Sequence, residues 1–328
     1  MRVLAGDIGG TKTLLALVEC DGNHCTILHK ARYASADYTH LIPMLTLFLA
    51  ESGEPAPARA CFAVAGPVAI RGKGQTAQLT NLLWKLDTAD LSSTLNIKHV
   101  RLVNDFQSVA YGIEALHDQD LITLQKGNPQ AQEPRAIIGA GTGLGQAVLC
   151  WHGDRYNAIP SEGGHTDFAP QDIDQIGLLS KLMGDFGHVS YERLLSGSGL
   201  ARIYWHLQQR SNQPSLPELE TPGIDVASAV SRMALQDKDP VARQALDMFV
   251  AIYGAQAGNL ALTVLARGGV YLAGGIAPKI LPKLTDGSFI AAFTNKGRMA
   301  EVNRSIPVYV IGNPETGLLG AALLAGRL

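Results

Sequence analysis

Ala136-Ile137-Ile138-Gly139-Ala140-Gly141-Thr142-Gly143-Leu144-Gly145, followed by an apolar run over 147–151, reads as a strand, a glycine turn and a second strand. The same order stands near the N-terminus. Val3-Leu4-Ala5-Gly6 runs into Asp7-Ile8-Gly9-Gly10-Thr11, and another apolar run covers 14–18. Residues 4–18 and 137–151 therefore look like one supersecondary unit used twice, with slight identity between the copies. A third glycine turn, Gly274-Gly275, closes the short strand 270–273. Glycine lets backbone N–H groups approach an anion closely. A single such turn is more often a plain hairpin or bulge. Three of them after three strands suit a phosphate chain, which needs donors from several sides. The common phosphate motifs fail: no G-x-x-x-x-G-K-[ST] occurs, and Leu144 or Gln146 occupies the third glycine position of any G-x-G-x-x-G register around 139–145.

Outward from these turns, strands are expected at 26–33, 60–65 and 100–103, the last stopping at Asn104-Asp105. Helices are expected at 41–49 and from Ile173 onward, with loops at 127–135 and 208–223. Asp239-Pro240 reads as an N-cap followed by Pro at the first helical position. Apolar residues then hold helical spacing from Ala242 to Val264, with Gly268-Gly269 as the stop. A last strand at 306–311 leads to Asn313-Pro314, which caps a final helix through Leu324.

The chain has 328 residues, 46% hydrophobic and 17% charged, with 35 glycines, which suggests two globular domains. A formal charge of −2 without a basic arm argues against nucleic acid or an anionic membrane as partner. Asp7 leaves no room for an apolar leader, and 259–277, the most apolar later stretch, is interrupted by Arg267 and four glycines. The expectation is a soluble, cytoplasmic protein. The four cysteines contain no C-x-x-C pair and no disulfide framework. Cys20 and Cys25, across the turn 21–24, read as small apolar strand residues; with His24 they fall short of a tetrahedral metal set.

Candidate chemistry sits at strand ends. Asp7 beside Gly9-Gly10-Thr11 would repel a phosphate unless a hydrated Mg²⁺ lay between; the plain alternative is a side-chain-bonded turn. Asp105 is placed to accept a proton from a substrate hydroxyl with Asn104 orienting it, or else simply to cap the helix near Phe106. In Pro160-Ser161-Glu162-Gly163-Gly164-His165-Thr166-Asp167, Glu162 and His165 can converge on a small polar ligand such as a sugar. Glu192, taken alone, reads as a salt-bridged helix residue.

Together these segments resemble the bacterial ATP-dependent glucokinases of the hexokinase-like, actin-fold superfamily over nearly the whole chain. The specific stretches are Gly6–Thr11, Val103-Asn104-Asp105-Phe106, Gly139–Gly145, Glu162-Gly163-Gly164-His165-Thr166-Asp167-Phe168-Ala169-Pro170 and Glu192-Arg193-Leu194-Leu195-Ser196-Gly197. The resemblance implies an α/β, two-domain actin-like (ribonuclease H-like) ATPase fold, with a mixed sheet in each domain and a cleft between them. The small domain would hold 1–107 plus 312–328 and the large one 108–311. ATP would be held by Gly6, Asp7, Ile8, Gly9, Gly10, Thr11, Gly141, Thr142, Gly143, Gly274 and Gly275, with Mg²⁺ on Asp7 through water. Asp105 would be the base on the glucose 6-hydroxyl, and Asn104, Glu162, His165, Glu192 and Asn81 would hold the sugar. For Glu192 the resemblance reverses the plain reading. A homodimer is also implied. The zinc-binding cysteine cluster of the related repressor–open reading frame–kinase family is missing, so no zinc is expected. The alternatives are a kinase for another hexose or amino sugar, and a non-catalytic sugar sensor of the same fold.

Overall fold

The computed structural model describes residues 1–55, 57–72, 74–79, 82–211 and 217–328. Its residues group into two compact units. The first holds 1–120, 156–160 and 313–328; the second holds 121–155 and 161–312. The first unit reaches Asp120, past the expected break at 107. The reason is the helix Asp105–Gly112, which packs against the terminal helix Thr316–Gly326 of the same unit.

In the first unit, strands His24–Ala34, Lys12–Asp21, Arg2–Ile8, Arg59–Val64 and His99–Asn104 lie side by side in that order. The first three are antiparallel to one another and the last two run parallel to Arg2–Ile8, so the sheet is mixed. Leu4, Ile8, Leu15, Leu17 and Phe62 meet Met44, Leu45 and Phe48 of the helix Leu41–Ser52 in one core. The terminal helix packs on Arg2–Ile8, Lys12–Asp21 and Arg59–Val64, and its residues from Thr316 to Ala325 are all buried. A helix apolar all round belongs inside a core rather than on a surface. Arg59 Nη1 donates to its last carbonyl, Gly326 O, at 2.9 Å, a cation placed where the helix end is negative. A small antiparallel sheet, Val68–Arg71, Gly74–Gln78 and Lys85–Asp87, completes the unit.

The second unit repeats the pattern. Leu144–His152 pairs antiparallel with Arg135–Ala140, which pairs parallel with Gly269–Ala273; Val308–Ile311 and Leu121–Gln125 follow. Arg2–Ile8 and Arg135–Ala140 thus hold the same place, between an antiparallel hairpin partner and a parallel strand. The 25-residue helix Pro240–Val264 starts as read, with Asp239 accepting from Ala242 N at 2.6 Å and Pro240 at its first position. It buries Phe249, Tyr253 and most of its length.

Three expectations are corrected. The long helix stops at Val264, where Leu265 turns left-handed (φ +48), because Gly269, with φ +119, serves the entry to the next strand instead. The loop expected at 208–223 begins later, since the helix Gly197–Arg210 takes its first residues and Pro217–Glu220 forms a turn. Cys20 and Cys25 are directly opposed across a two-residue hairpin and are joined by a disulfide, Cα–Cα 4.3 Å, rather than standing as two thiols. Among the described residues no helix is long and apolar enough to cross a membrane.

Candidate active site

The first unit assembles its part around the end of Arg2–Ile8. Asp7 is the penultimate strand residue, and the turn after it is tied down by Gly9 N to Lys12 O (3.0 Å), Ser35 Oγ to Gly9 O (2.8 Å) and Ser35 N to Thr11 O (3.0 Å). Gly9 and Gly10 are half-buried and Thr11 and Lys12 exposed, so the turn faces solvent. Gly6 and Ile8 stand behind it. Ile8 is fully buried, and a side chain at Gly6 would run into Phe62 at 2.7 Å and Leu15 at 3.0 Å. Those two positions serve the sheet packing, not the turn face.

Asn104, at the end of its own strand, caps the helix Asp105–Gly112. Its Oδ1 accepts from Phe106 N at 3.0 Å and Gln107 N at 3.1 Å, while Nδ2 donates to Gly66 O at 3.4 Å. Asn104, not Asp105, is therefore the helix cap. Asp105 Oδ1 also accepts from Phe106 N, at 2.8 Å, which orients the carboxylate at the first turn. The position of that turn is set by a tight helix crossing. Ser108 Oγ donates to Gly317 O at 2.8 Å, and a methyl at Gly320 would lie 1.8 Å from Ser108 O. Asp105 and Asp7 end up close enough to repel. Burial first, then the Asp105 charge, push the Asp7 pKa up to about 6, against the pull of Lys12.

The second unit builds a separate cluster on the second glycine turn. Gly141 N donates to Gly143 O at 2.8 Å, and Gly141 O accepts from Gly197 N at 2.9 Å. Glu192, in the turn Tyr191–Arg193, accepts from Leu144 N through Oε2 at 3.0 Å. Its Oε1 lies 3.9 Å from His165 Nδ1, and His165 Nε2 lies 3.9 Å from Glu162 Oε2. Three of the five residues read as sugar ligands are thus gathered into one group, with Glu162 largely exposed and Glu192 a third exposed. Asp167 belongs elsewhere, paired with His188 at 2.8 Å. Asn81 lies outside the described residues.

Gly274 sits at φ +81 against the Ala140 carbonyl, and Ile276 N donates to that carbonyl at 3.2 Å, so the third turn packs beside the second. Between them opens a cavity of about 680 Å³, the size of a small-molecule site. Gly141, Thr142, Gly197 and Gly275 line one side; Asp225, Ser228, Ser231 and Arg232 of the helix Val226–Leu235 and its cap line another, with Lys279 nearby. Hydrogen bonds from the Ser228 hydroxyl and amide hold Asp225 below the ordinary carboxylate range. None of these helix residues was found from the sequence. Asp225 is legible as an N-cap, but no spacing connects 225–236 to Gly141. Gln146 was missed as well: it is buried in Leu144–His152 against Gly163.

A family model described as Glucokinase matches residues 4–328. The chain belongs to the glucokinase family. It is 46% identical to the glucokinase of Nostoc punctiforme over 342 residues, 99% of each chain. Its structure is similar to that of a glucokinase from an Antarctic psychrotroph, with TM-score 0.88, 29% identity and coverage of 100% of this chain and 99% of that one. It shares its fold with a ROK family glucokinase from Streptomyces griseus in complex with glucose and AMPPNP, at TM-score 0.67, 20% identity and full coverage of both chains. The fold is accordingly the actin-like fold of glucokinases and related sugar kinases, as the resemblance implied.

Proposed function

We propose that this glucokinase-family chain transfers the γ-phosphoryl group of ATP to the 6-hydroxyl of D-glucose, with Asp105 as the base. The observation that carries the assignment of roles is the carboxylate pair at the first glycine turn, Asp7 and Asp105, held at neighbouring element ends by the Asn104 cap and the helix crossing. Phosphoryl transfer has a loose transition state, so the protein's work is alignment and charge stabilisation rather than covalent chemistry. Asp105 orients the attacking hydroxyl and accepts its proton. Glu162, His165 and Glu192 take the remaining hydroxyls, and Asn104 can offer only its amide N–H, its oxygen being spent on the helix cap. Asn81 remains part of the proposed sugar set.

The nucleotide is assigned to the amides of Gly9, Gly10 and Thr11, to Gly141–Gly143, and to Gly274-Gly275 with the cavity beside them. The Asp7–Asp105 repulsion fits a divalent cation, and an oxygen donor set of one or two carboxylates suits hydrated Mg²⁺ held on Asp7 through water. When bound, Mg²⁺ neutralises phosphate charge. A cytoplasmic location, where ATP is supplied, and a homodimer complete the reading. The dimer is supported by Ile173, Ile176, Met183 and Phe186, which are exposed along the helix Ile173–Phe186.

The test is ADP release with and without sugar over a panel of hexoses. Glucose should drive turnover, and mannose and galactose, each with one misplaced hydroxyl, should fall roughly 10-fold or more in kcat/KM. Equal rates on all three would remove the sugar-reading role from Glu162, His165 and Glu192. Sugar binding without any ADP release would instead mark a sensor.

A further inference from the structure

Glu192 makes two contacts, and a simple sugar ligand does not need the second of them. One carboxylate oxygen faces His165 and the proposed sugar group, while the other accepts the Leu144 N–H that ends the second glycine turn. Gly143 is where the fit is tightest: a Cβ there would sit 2.4 Å from Glu192 Oε2, so only glycine lets the carboxylate seat on the turn. The segment that carries Glu192 grips the same turn a second time, through Gly197 N to Gly141 O at 2.9 Å. Ser196 Oγ ties the two grips together by donating to Glu192 O at 2.8 Å. Gly141, Thr142 and Gly197 line the cavity beyond.

We infer that Glu192 is a positioning residue for the nucleotide as well as a sugar ligand: its carboxylate clamps the glycine turn that faces ATP, so one side chain links the two substrates. The inference rests on the kinase reading above and adds a role that reading does not require. A turn rich in glycine loses much backbone freedom when it is ordered, and a carboxylate bonded to a backbone N–H removes that cost before the nucleotide arrives. The charge of Glu192 is needed for the sugar, whereas the clamp needs only an acceptor oxygen. The two roles can therefore be separated by Glu192→Gln, whose amide oxygen can still accept from Leu144 N–H.

The experiment is titration calorimetry of ADP, in magnesium buffer without sugar, and separately of glucose. Wild type, Glu192→Ala, Glu192→Gln and Glu162→Ala are compared, each first checked for its melting temperature. Glu192→Ala should bind ADP roughly tenfold more weakly with no sugar present, about the effect of one hydrogen bond to a charged group. Glu192→Gln should keep ADP affinity within about twofold of wild type yet lose glucose affinity, and Glu162→Ala should lose glucose affinity alone. Wild-type ADP affinity in Glu192→Ala overturns the inference. If that variant does not fold, Glu192→Leu, close in bulk but with no acceptor oxygen, takes its place, and wild-type ADP affinity in it overturns the inference equally. Glucose-dependent ADP release by the wild type is measured alongside; its absence would remove the kinase reading itself, a result distinct from a failed clamp.

Discussion

Asp105 illustrates how a residue's role depends on what its neighbour has already done. Because Asn104 spends its amide oxygen on two N–H groups of the helix, the Asp105 carboxylate is not the cap. Asp105→Ala should therefore lower kcat by roughly 10²–10⁴ with far less change in glucose affinity, measured by steady-state kinetics and calorimetry. Turnover within a few-fold of wild type would return Asp105 to a structural part. His206 gives a different residue-scale outcome. Burial, then the charges of Arg210 and Lys181, lower its pKa below the ordinary 6.5, with Asp174 opposing. The unfolded chain then binds more protons than the folded one once pH drops below about 6.5, so folding stability falls with acidification in that window and is unaffected above it. His206→Gln should shrink the loss of melting temperature between pH 7 and pH 5.5 relative to wild type. An unchanged loss would show that His206 is not among the groups responsible.

At the scale of elements, the crossing of Asp105–Gly112 with Thr316–Gly326 places Asp105, and glycine makes it possible. A methyl at Gly320 would lie 1.8 Å from Ser108 O, and one at Gly112 1.9 Å from Thr316 O. Gly320→Ala should cost about 1–3 kcal/mol in a denaturant melt. It should also lower kcat beyond what the residual folded fraction explains, because the helix that carries Asp105 must shift; normal kcat in the folded variant would detach the crossing from catalysis. What the sequence disclosed about such elements depended on range. The two strand–turn–strand units and the Asp239-Pro240 start were legible because each is set by residues within a few positions of one another. The wall formed by Val226–Leu235 was not, since its Asp225, Ser228 and Arg232 meet Gly141 only through tertiary packing. The same limit hid the second partner of Glu192, which is Leu144, far away in sequence. The Cys20–Cys25 bond was missed for another reason: composition argued against a framework, while hairpin register alone brought the two together.

For the whole molecule, the spacing of exposed apolar residues bears on the proposed dimer. Ile173, Ile176, Met183 and Phe186 are placed symmetrically about the middle of their helix. Two copies crossing antiparallel on a two-fold axis would set Ile173 against Phe186 and Ile176 against Met183, a self-matching patch of the kind a symmetric interface needs. Wild type should sediment at twice 34.9 kDa and Ile176→Asp at the single-chain mass, with the fold retained by circular dichroism. A wild-type monomer at micromolar concentration would end the dimer proposal. The arrangement of the first unit has a further consequence, in time rather than in space. Its sheet strands lie within residues 2–104, yet the buried helix that covers Arg2–Ile8 and Arg59–Val64 spans 316–326. At a synthesis rate of roughly 5–20 residues per second, the ribosome needs on the order of ten to forty seconds to travel from the end of the sheet to the end of that helix. Throughout that interval one apolar face of the newborn sheet has no cover, so the growing chain is a client for whatever shields nascent hydrophobic surface in the cell. Slowing translation late in the message should then raise the aggregated fraction, whereas slowing it before residue 104 should not.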